Sequence, residues 1–579
     1  MRYAGPVIYY TVVITAYTYG GTGMSGIHGN AAVERFTLMA SQQLKALFEF
    51  MPPLAASLGL HEYDGRTPDL SREAIQDRVG AIDRALAELD AIDSGELDPD
   101  TRLDYDLLRQ GLSSERFRLA ELREFAWNPV VVLFITDVMN YIKRDYAPVE
   151  QRVRSLVEYE RGLPRMLEQV RLLMEPPLAR PIIDVGVQMF SGQVNYLKHR
   201  LPATVAAEVQ NTALLQDFNQ ANDQAVQAIE QFILWLKEQS LHAKEEFGIG
   251  RHLFERMLAT NELVDLPLER VLEIGLENLE ANRQLFIETA RRIDPDKDVR
   301  EVADLVAAHH PTPASLIPDT EAMLEEIRQF VIDRDLVTIP SDVRCKVQET
   351  PEFLRWGFAF MDSPGPFEQK ATEAYYYVTP VEPHWSEKQT EEWLRRFNYP
   401  TLRDVSIHET YPGHYVHFLH ASRVMSPVRK VYSSYSFVEG WAHYCEQMMV
   451  EQGYQADTPH LRFAQLSEAL LRNCRYVVSI LMHTGRMDLR GATRFFMEHG
   501  FMEELPAYKE AVRGTFDPGY LNYTLGKLMI LKLREDMKSM EGAGFNLKRF
   551  HDRMLALAYP PVPLIRKRLL GEGEGRQLL

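Results

Sequence analysis

Apolar residues spaced three and four apart run through most of this chain, and that period restricts its fold more than any other feature. From Phe218 the positions Ala221, Ala225, Ile229, Phe232 and Leu236 recur at that spacing, with Gln, Asp and Glu between them. This is the pattern of a helix with one buried face. After Asp265 as an N-cap, Pro267 stands in the first turn, and Leu268, Val271, Leu272, Leu276 and Leu279 follow on one side. The same period predicts helices around 72–92, 102–123, 148–174, 319–333, 386–396, 461–482, 504–513 and 523–540. Prolines at Pro176-Pro177, Pro311–Pro318 and Pro364–Pro366 punctuate them. No repeat of fixed period is present, so a solenoid is not supported. The expected fold is mainly α, a large multi-helix body.

One region breaks the pattern. Between Leu336 and Pro380 lie short β-like runs: LVTIP at 336–340, RCKVQ at 344–348 and AYYYVTP at 374–380. They predict a small sheet or hairpin inserted among the helices. The expected organisation is an N-terminal extension over 1–35, a helical lobe over 36–335 and a second lobe over 336–579 that carries the chemistry. A single domain over 36–579 is the alternative. Pro6 to Tyr17 is apolar but too short to span a bilayer, and the Gly-rich 20–29 that follows lacks a clear small-x-small cleavage site. The expectation is a cytoplasmic protein without stable membrane insertion, with export through a weak signal in 1–30 as the alternative.

Charge and cysteine content narrow the chemistry. With 64 basic against 82 acidic residues the net charge is −18, and no concentrated Lys/Arg patch reverses it, which argues against nucleic acid as a partner. The three cysteines, Cys345, Cys445 and Cys474, are far apart and in no CxxC arrangement. A metal here must therefore be held by His and carboxylate.

The segment DVSIHETYPGHYVHFLH (404–420) supplies them. It carries His408, His414, His417 and His420, with Glu409 beside the first. A His-Glu pair with a second His one turn later is the working core of many zinc peptidases: two imidazoles bind the ion and the Glu polarises water. That second His normally stands at i+4, on the same helix face. Here it stands at i+6, roughly 120° away on an unbroken helix. Pro412-Gly413 offers a bulge that would bring His414 back toward His408. A rival assignment pairs His414 with His417 and leaves His408 aside.

The third ligand is expected from a neighbouring helix. In FVEGWAHYCEQM (437–448), Glu439, His443 and Glu446 fall at i, i+4 and i+7, on one face. Glu439 is the candidate ligand, and Glu446 suits a hydrogen bond to a ligating imidazole. An ordinary intrahelical Glu439–His443 pair is the competing reading. The expected cofactor is one Zn2+ held by His408, His414 and Glu439, although Mn or Co accept the same donors. Glu409, beside the ion, is the expected general base.

The runs AYYYVTP, HETYPGHYVH, SFVEGWAHYCEQ, LRNCRYVVSILMH and DPGYLNYTLGKLMILKLRE together resemble the largely bacterial family called domain of unknown function 885. The resemblance covers most of the chain from about residue 36 and is sharpest over 371–535. It implies a helical zinc-metallopeptidase-like body with a His-Glu-x-x-Pro-Gly-His core at 408–414, Glu-Gly-Trp-Ala at 439–442, and Tyr523 ahead of Gly526. Two positions depart from the family pattern. His443 stands where an apolar residue is usual, with no expected effect on the chemistry. Ser479 stands where an Asp is expected, which removes any hydrogen bond that Asp would make. From the resemblance, Tyr523 and His483 become candidates to stabilise an oxyanion, with a core role the competing reading for each.

The function expected is a zinc-dependent hydrolase, a peptidase acting on peptides or small amides. The alternatives are a metal hydrolase of non-peptide amides or esters, and a non-catalytic peptide-binding member of the same fold. AYYYVTP is read either as an edge strand that pairs with an extended substrate or as a buried strand. Arg472, Arg475, Arg486 and Arg490 are read either as ligands for a substrate carboxylate or, preferentially, as partners in structural ion pairs.

Overall fold

The computed structural model describes residues 30–351, 355, 357–571 and 577–579. The expected weak signal in 1–30 lies almost wholly outside them. No described helix is long and apolar enough to cross a membrane. The architecture is mainly α with a small three-stranded sheet.

The helices follow the periodicity. Thr212–Gln239 starts where the Asn211 side chain accepts a hydrogen bond from Leu214 N–H. It buries Phe218, Ala221, Ala225, Ile229, Phe232 and Leu236, the stripe read from the sequence. Leu268–Ile293 begins after Pro267, which is itself the N-cap and offers no side-chain acceptor. The helix thus starts later than the expected Asp265 cap. Pro99–Arg116 continues into a π-helical turn at Phe117–Glu121.

Two large apolar clusters fill the interior. One is built on Val149–Leu173 against Thr212–Gln239 and runs from Leu70 to Leu236. The other runs from Ala32 to Ile565 and includes residues of the sheet and of every helix that carries the candidate site.

The sheet consists of β1 (Lys346–Glu349), β2 (Ala359–Asp362) and β3 (Tyr375–Val378), in the order β1-β3-β2. β1 runs parallel to β3, with Lys346 opposite Tyr375. β2 runs antiparallel to it, with Phe360 opposite Tyr377. This decides one open reading and corrects one expectation. AYYYVTP is the central strand, so its backbone is already paired on both sides and it is no edge for a substrate. Leu336–Pro340 is not a strand at all, and β2 takes its place. The backbone of 336–340 is satisfied otherwise: Thr338 N–H donates to Asp552, and the carbonyls of Leu336 and Thr338 meet His551 and His420.

Candidate metal centre

The His-Glu motif spans two helices, Tyr399–Glu409 and His414–Ser422, set among three more and one strand. Tyr399–Glu409 packs on Tyr435–Glu451 and on His460–His483, and Tyr435–Glu451 packs closely on Asn522–Glu541. The Tyr435–Glu451 helix is firmly started. Ser434 caps Phe437 N–H, and the buried Glu262 carboxylate accepts from Ser434 Oγ and Ser436 Oγ, each at 2.5 Å.

The expected bulge is a full break. The first helix ends at Glu409, a second starts at His414, and Thr410 to Gly413 connect them. Gly413 N–H donates to the Ile407 carbonyl at 3.1 Å, and a Cβ at Gly413 would overlap the His408 carbonyl. Only glycine permits so tight a return. Trp441 Nε1–H fastens the connection by donating to the Pro412 carbonyl at 3.0 Å. The His408 and His414 rings consequently meet edge to face at 4.8 Å, which the i+6 spacing on one helix would forbid.

Donor atoms of His408, Glu409 and His414 lie within 4.8 Å of one another, a largely buried group that could hold a metal ion. Glu439 joins them from the neighbouring helix. Its Oε2 lies 3.4 Å from His408 Nε2 and 3.5 Å from His414 Nε2, and no donor meets it with hydrogen-bond geometry. Burial alone would raise the Glu439 carboxyl, but the imidazoles of His414 and His408 outweigh it and hold the group well below the usual range. Glu409 is oriented from the sheet: Met361 N–H of β2 donates to its Oε2 at 3.0 Å.

Glu446 holds the outer side of His408. Its Oε1 accepts from His408 Nδ1 at 2.6 Å and lies 3.2 Å from Arg472 Nη2, while its Oε2 accepts from His443 Nδ1 at 2.8 Å. Burial opposes its ionisation, yet Arg472 and His443 keep the carboxyl ionised well below its ordinary range. Tyr523 packs against His408 with ring centroids 6.5 Å apart. The guanidiniums of Arg472, Arg475 and Arg513 all stand within 6 Å of the Tyr523 ring. Burial first, and then the Glu439 charge, raise the phenol above its ordinary value against Arg513 and Arg475.

Other expected residues go elsewhere. His483 is not brought to this group. Its Nε2 donates to the Gly514 carbonyl at 2.7 Å, and its ring packs against Phe247 and Phe254. His417 turns its Nε2 to the Ala558 carbonyl at 2.9 Å and is not among the residues grouped with His414. Ser479, in place of the expected Asp, donates to the Pro518 carbonyl at 2.7 Å. Arg475 forms a two-pronged pair with Glu510, Arg472 pairs with Glu446 and Glu468, and Arg486 pairs with Glu269. These are ion pairs within the fold, as preferred from the sequence. Two participants had no expected role. The Met361 amide leaves no mark in a sequence, whereas Lys527 does: it is a lysine on the buried face of its helix, one turn after Tyr523.

Fold and geometry define a class: an α-helical protein with a buried two-histidine, carboxylate-lined group able to hold a metal ion. The chain belongs to the family described as "Bacterial protein of unknown function (DUF885)", which it matches over residues 52–569. No curated protein matches it. Two solved structures share the fold. One is a candidate lipoprotein of unknown function from Shewanella oneidensis, 23% identical, with a TM-score of 0.79 over 92% of this chain and 99% of that one. The other is a candidate lipoprotein from Colwellia psychrerythraea, 16% identical, with a TM-score of 0.80 over 93% of this chain and 98% of that one.

Proposed function

We propose that this protein is a metal-dependent hydrolase of peptides, with His408, His414 and Glu439 as ligands and Glu409 as general base. The observation that carries the reading is the spacing of the donor atoms. Tetrahedral zinc with bonds of about 2.0–2.1 Å places its ligand atoms roughly 3.3 Å apart, and Glu439 Oε2 lies 3.4 and 3.5 Å from the two imidazole nitrogens. That buried oxygen has no hydrogen-bond donor, so a cation satisfies what the protein leaves open. Glu409 lies close enough to compete as a ligand, but its Oε2 is committed to Met361 N–H.

A divalent ion in this triangle supplies a Lewis acid that acidifies water and polarises a carbonyl. The protein supplies the rest. With Oε2 held by Met361, Glu409 Oε1 takes a proton from the attacking water and delivers it to the leaving nitrogen as the C–N bond breaks. The Tyr523 hydroxyl, kept protonated by burial and by Glu439, donates a hydrogen bond to the developing oxyanion. The outer edge of β2 favours a peptide over other amides. Antiparallel alternation turns the N–H and C=O of Ala359 to the same side as Met361 N–H, away from β3, and they have no partner among the described residues. An extended substrate backbone pairs there. The lipoprotein description of the two similar structures favours export over the cytoplasmic location expected from the sequence; fractionation of the native host would decide between them.

The test is metal content and peptide turnover, measured on wild type and Glu409→Gln. We expect close to one zinc per chain in both, with turnover in the variant lowered about 10²–10⁴-fold. Wild type that takes up no metal after resupply would sink the reading. Metal-loaded wild type that cleaves simple esters but no peptide would move it to the non-peptide alternative.

A further inference from the structure

A buried chain of hydrogen bonds leads away from the proposed centre and ends on a lysine. Lys527 Nζ lies 3.4 Å from His443 Nε2, His443 Nδ1 lies 2.8 Å from Glu446 Oε2, and Glu446 Oε1 lies 2.6 Å from His408 Nδ1. Lys527, His443 and Glu446 are each no more than 1% exposed, so water cannot substitute for a missing partner. The direction of every bond follows from chemistry. An ammonium only donates, so His443 Nε2 must be the acceptor and the ring proton sits on Nδ1. That proton goes to Glu446 Oε2. An ionised carboxylate only accepts, so its other oxygen receives His408 Nδ1–H. With a cation in place, His408 Nε2 would turn its lone pair to it, beside Glu439 and His414.

The geometry points to Lys527 as a positioning residue of the metal centre: through His443 and Glu446 it fixes the tautomer that presents His408 Nε2 to the ion. The inference rests on the metal-centre reading above. Burial lowers the His443 imidazole to about 3, with the Lys527 charge adding to the effect, which agrees with a neutral ring. Burial brings the Lys527 ammonium down to about 8, with Glu446 resisting, so it remains charged at neutral pH.

The test is zinc affinity, measured by competition with a fluorescent chelator on wild type, Lys527→Met, Lys527→Gln, His443→Phe and the double variant Lys527→Met/His443→Phe. Methionine keeps the packing and removes the donor; glutamine keeps an N–H donor without the charge. Loss of a partner behind a ligating imidazole costs roughly 10–100-fold in metal affinity. We expect about tenfold for Lys527→Met and for His443→Phe, less than threefold for Lys527→Gln, and no further loss in the double variant. Equal affinity for Lys527→Met and wild type would overturn the inference, as would additive losses in the double variant. Should Lys527→Met fail to fold, His443→Phe decides alone: affinity within twofold of wild type defeats the relay. Wild type that binds no zinc would instead defeat the metal-centre reading itself.

Discussion

Replacing Gly440 with Ala should damage the centre without touching any of its side chains. Gly440 lies between Glu439 and Trp441, where the Tyr435–Glu451 helix crosses Asn522–Glu541. A Cβ there would stand 2.5 Å from the Gly526 carbonyl carbon, 2.6 Å from its Cα and 2.7 Å from Lys527 N. Carbon atoms in contact rest about 3.5–4.0 Å apart, so the helices must separate by about 1 Å. The obstacles are backbone atoms, so no side chain can swing aside. Overpacking of this kind costs about 1–3 kcal/mol, and the rigid contact places it at the upper end. Glu439 rides on one helix, Tyr523 and Lys527 on the other, and productive site geometry tolerates only about 0.5 Å. We expect zinc affinity to fall at least tenfold and the denaturation midpoint to drop. Gly192→Ala is the control: it lies in the helix Arg180–Asn195, where a Cβ meets nothing within 4 Å. That substitution should stabilise by about 0.4–1 kcal/mol through the unfolded chain. The reasoning fails if Gly440→Ala binds zinc and melts as wild type does.

Two further predictions concern the phenol and a distant ion pair. Tyr523→Phe removes the proposed oxyanion donor and should lower kcat about 10²–10³-fold with zinc content and KM little changed; a fall in KM-linked binding alone would assign Tyr523 to substrate packing. Away from the centre, His61 Nε2 pairs with Glu368 at 2.9 Å and its ring stacks on Tyr146 at 3.5 Å. Burial would lower His61, but hydrogen bonds to Asp64 and Glu368 outweigh it and raise the imidazole to about 9. Stability from this group is therefore complete below about pH 6.5 and is lost as pH rises through 9. Glu368, opposed by burial but held by His61 down to about 2, loses its share only in strong acid. Allowing for partial exposure, wild type should lose about 1–2 kcal/mol between pH 6.5 and 9.5, and His61→Phe should lose none of that increment. Equal slopes of denaturant midpoint against pH in the two proteins would refute it.

The helical elements were legible because burial of one face imposes the period, as Thr212–Gln239 shows. The sheet was legible only in part. Tyr375–Val378 pairs on both sides, but no run of four residues reveals how many neighbours it has, so its central place could not be read. Leu336–Pro340 looked like a strand because Leu336 and Val337 are buried. Its backbone is satisfied by side chains from 82 to 215 residues away, a solution that leaves no local trace.

At the centre, His408, Glu409 and His414, which the structure brings together, lie within one motif, and the proposed Glu439 and Glu446 share one helix face. His483, a candidate on resemblance, packs elsewhere, and its partners Phe247, Phe254 and Gly514 come from two other segments. Lys527 is marked as a lysine on a buried helix face, but its acceptor His443, 84 residues away, is not. The two glycines at the helix crossing bear most directly on this limit. Read singly, Gly440 and Gly526 are weak points in helices, each costing about 0.5–1 kcal/mol against alanine. Read together they are the condition for contact, since a Cβ at Gly526 would overlap the Ser436 carbonyl. Glu439 and Trp441 flank one glycine, and Tyr523 and Lys527 lie within one turn of the other. The close crossing sets Glu439 near the Tyr523 phenol and brings Lys527 to His443, so two locally unfavourable residues fix what this pair of helices contributes to the group.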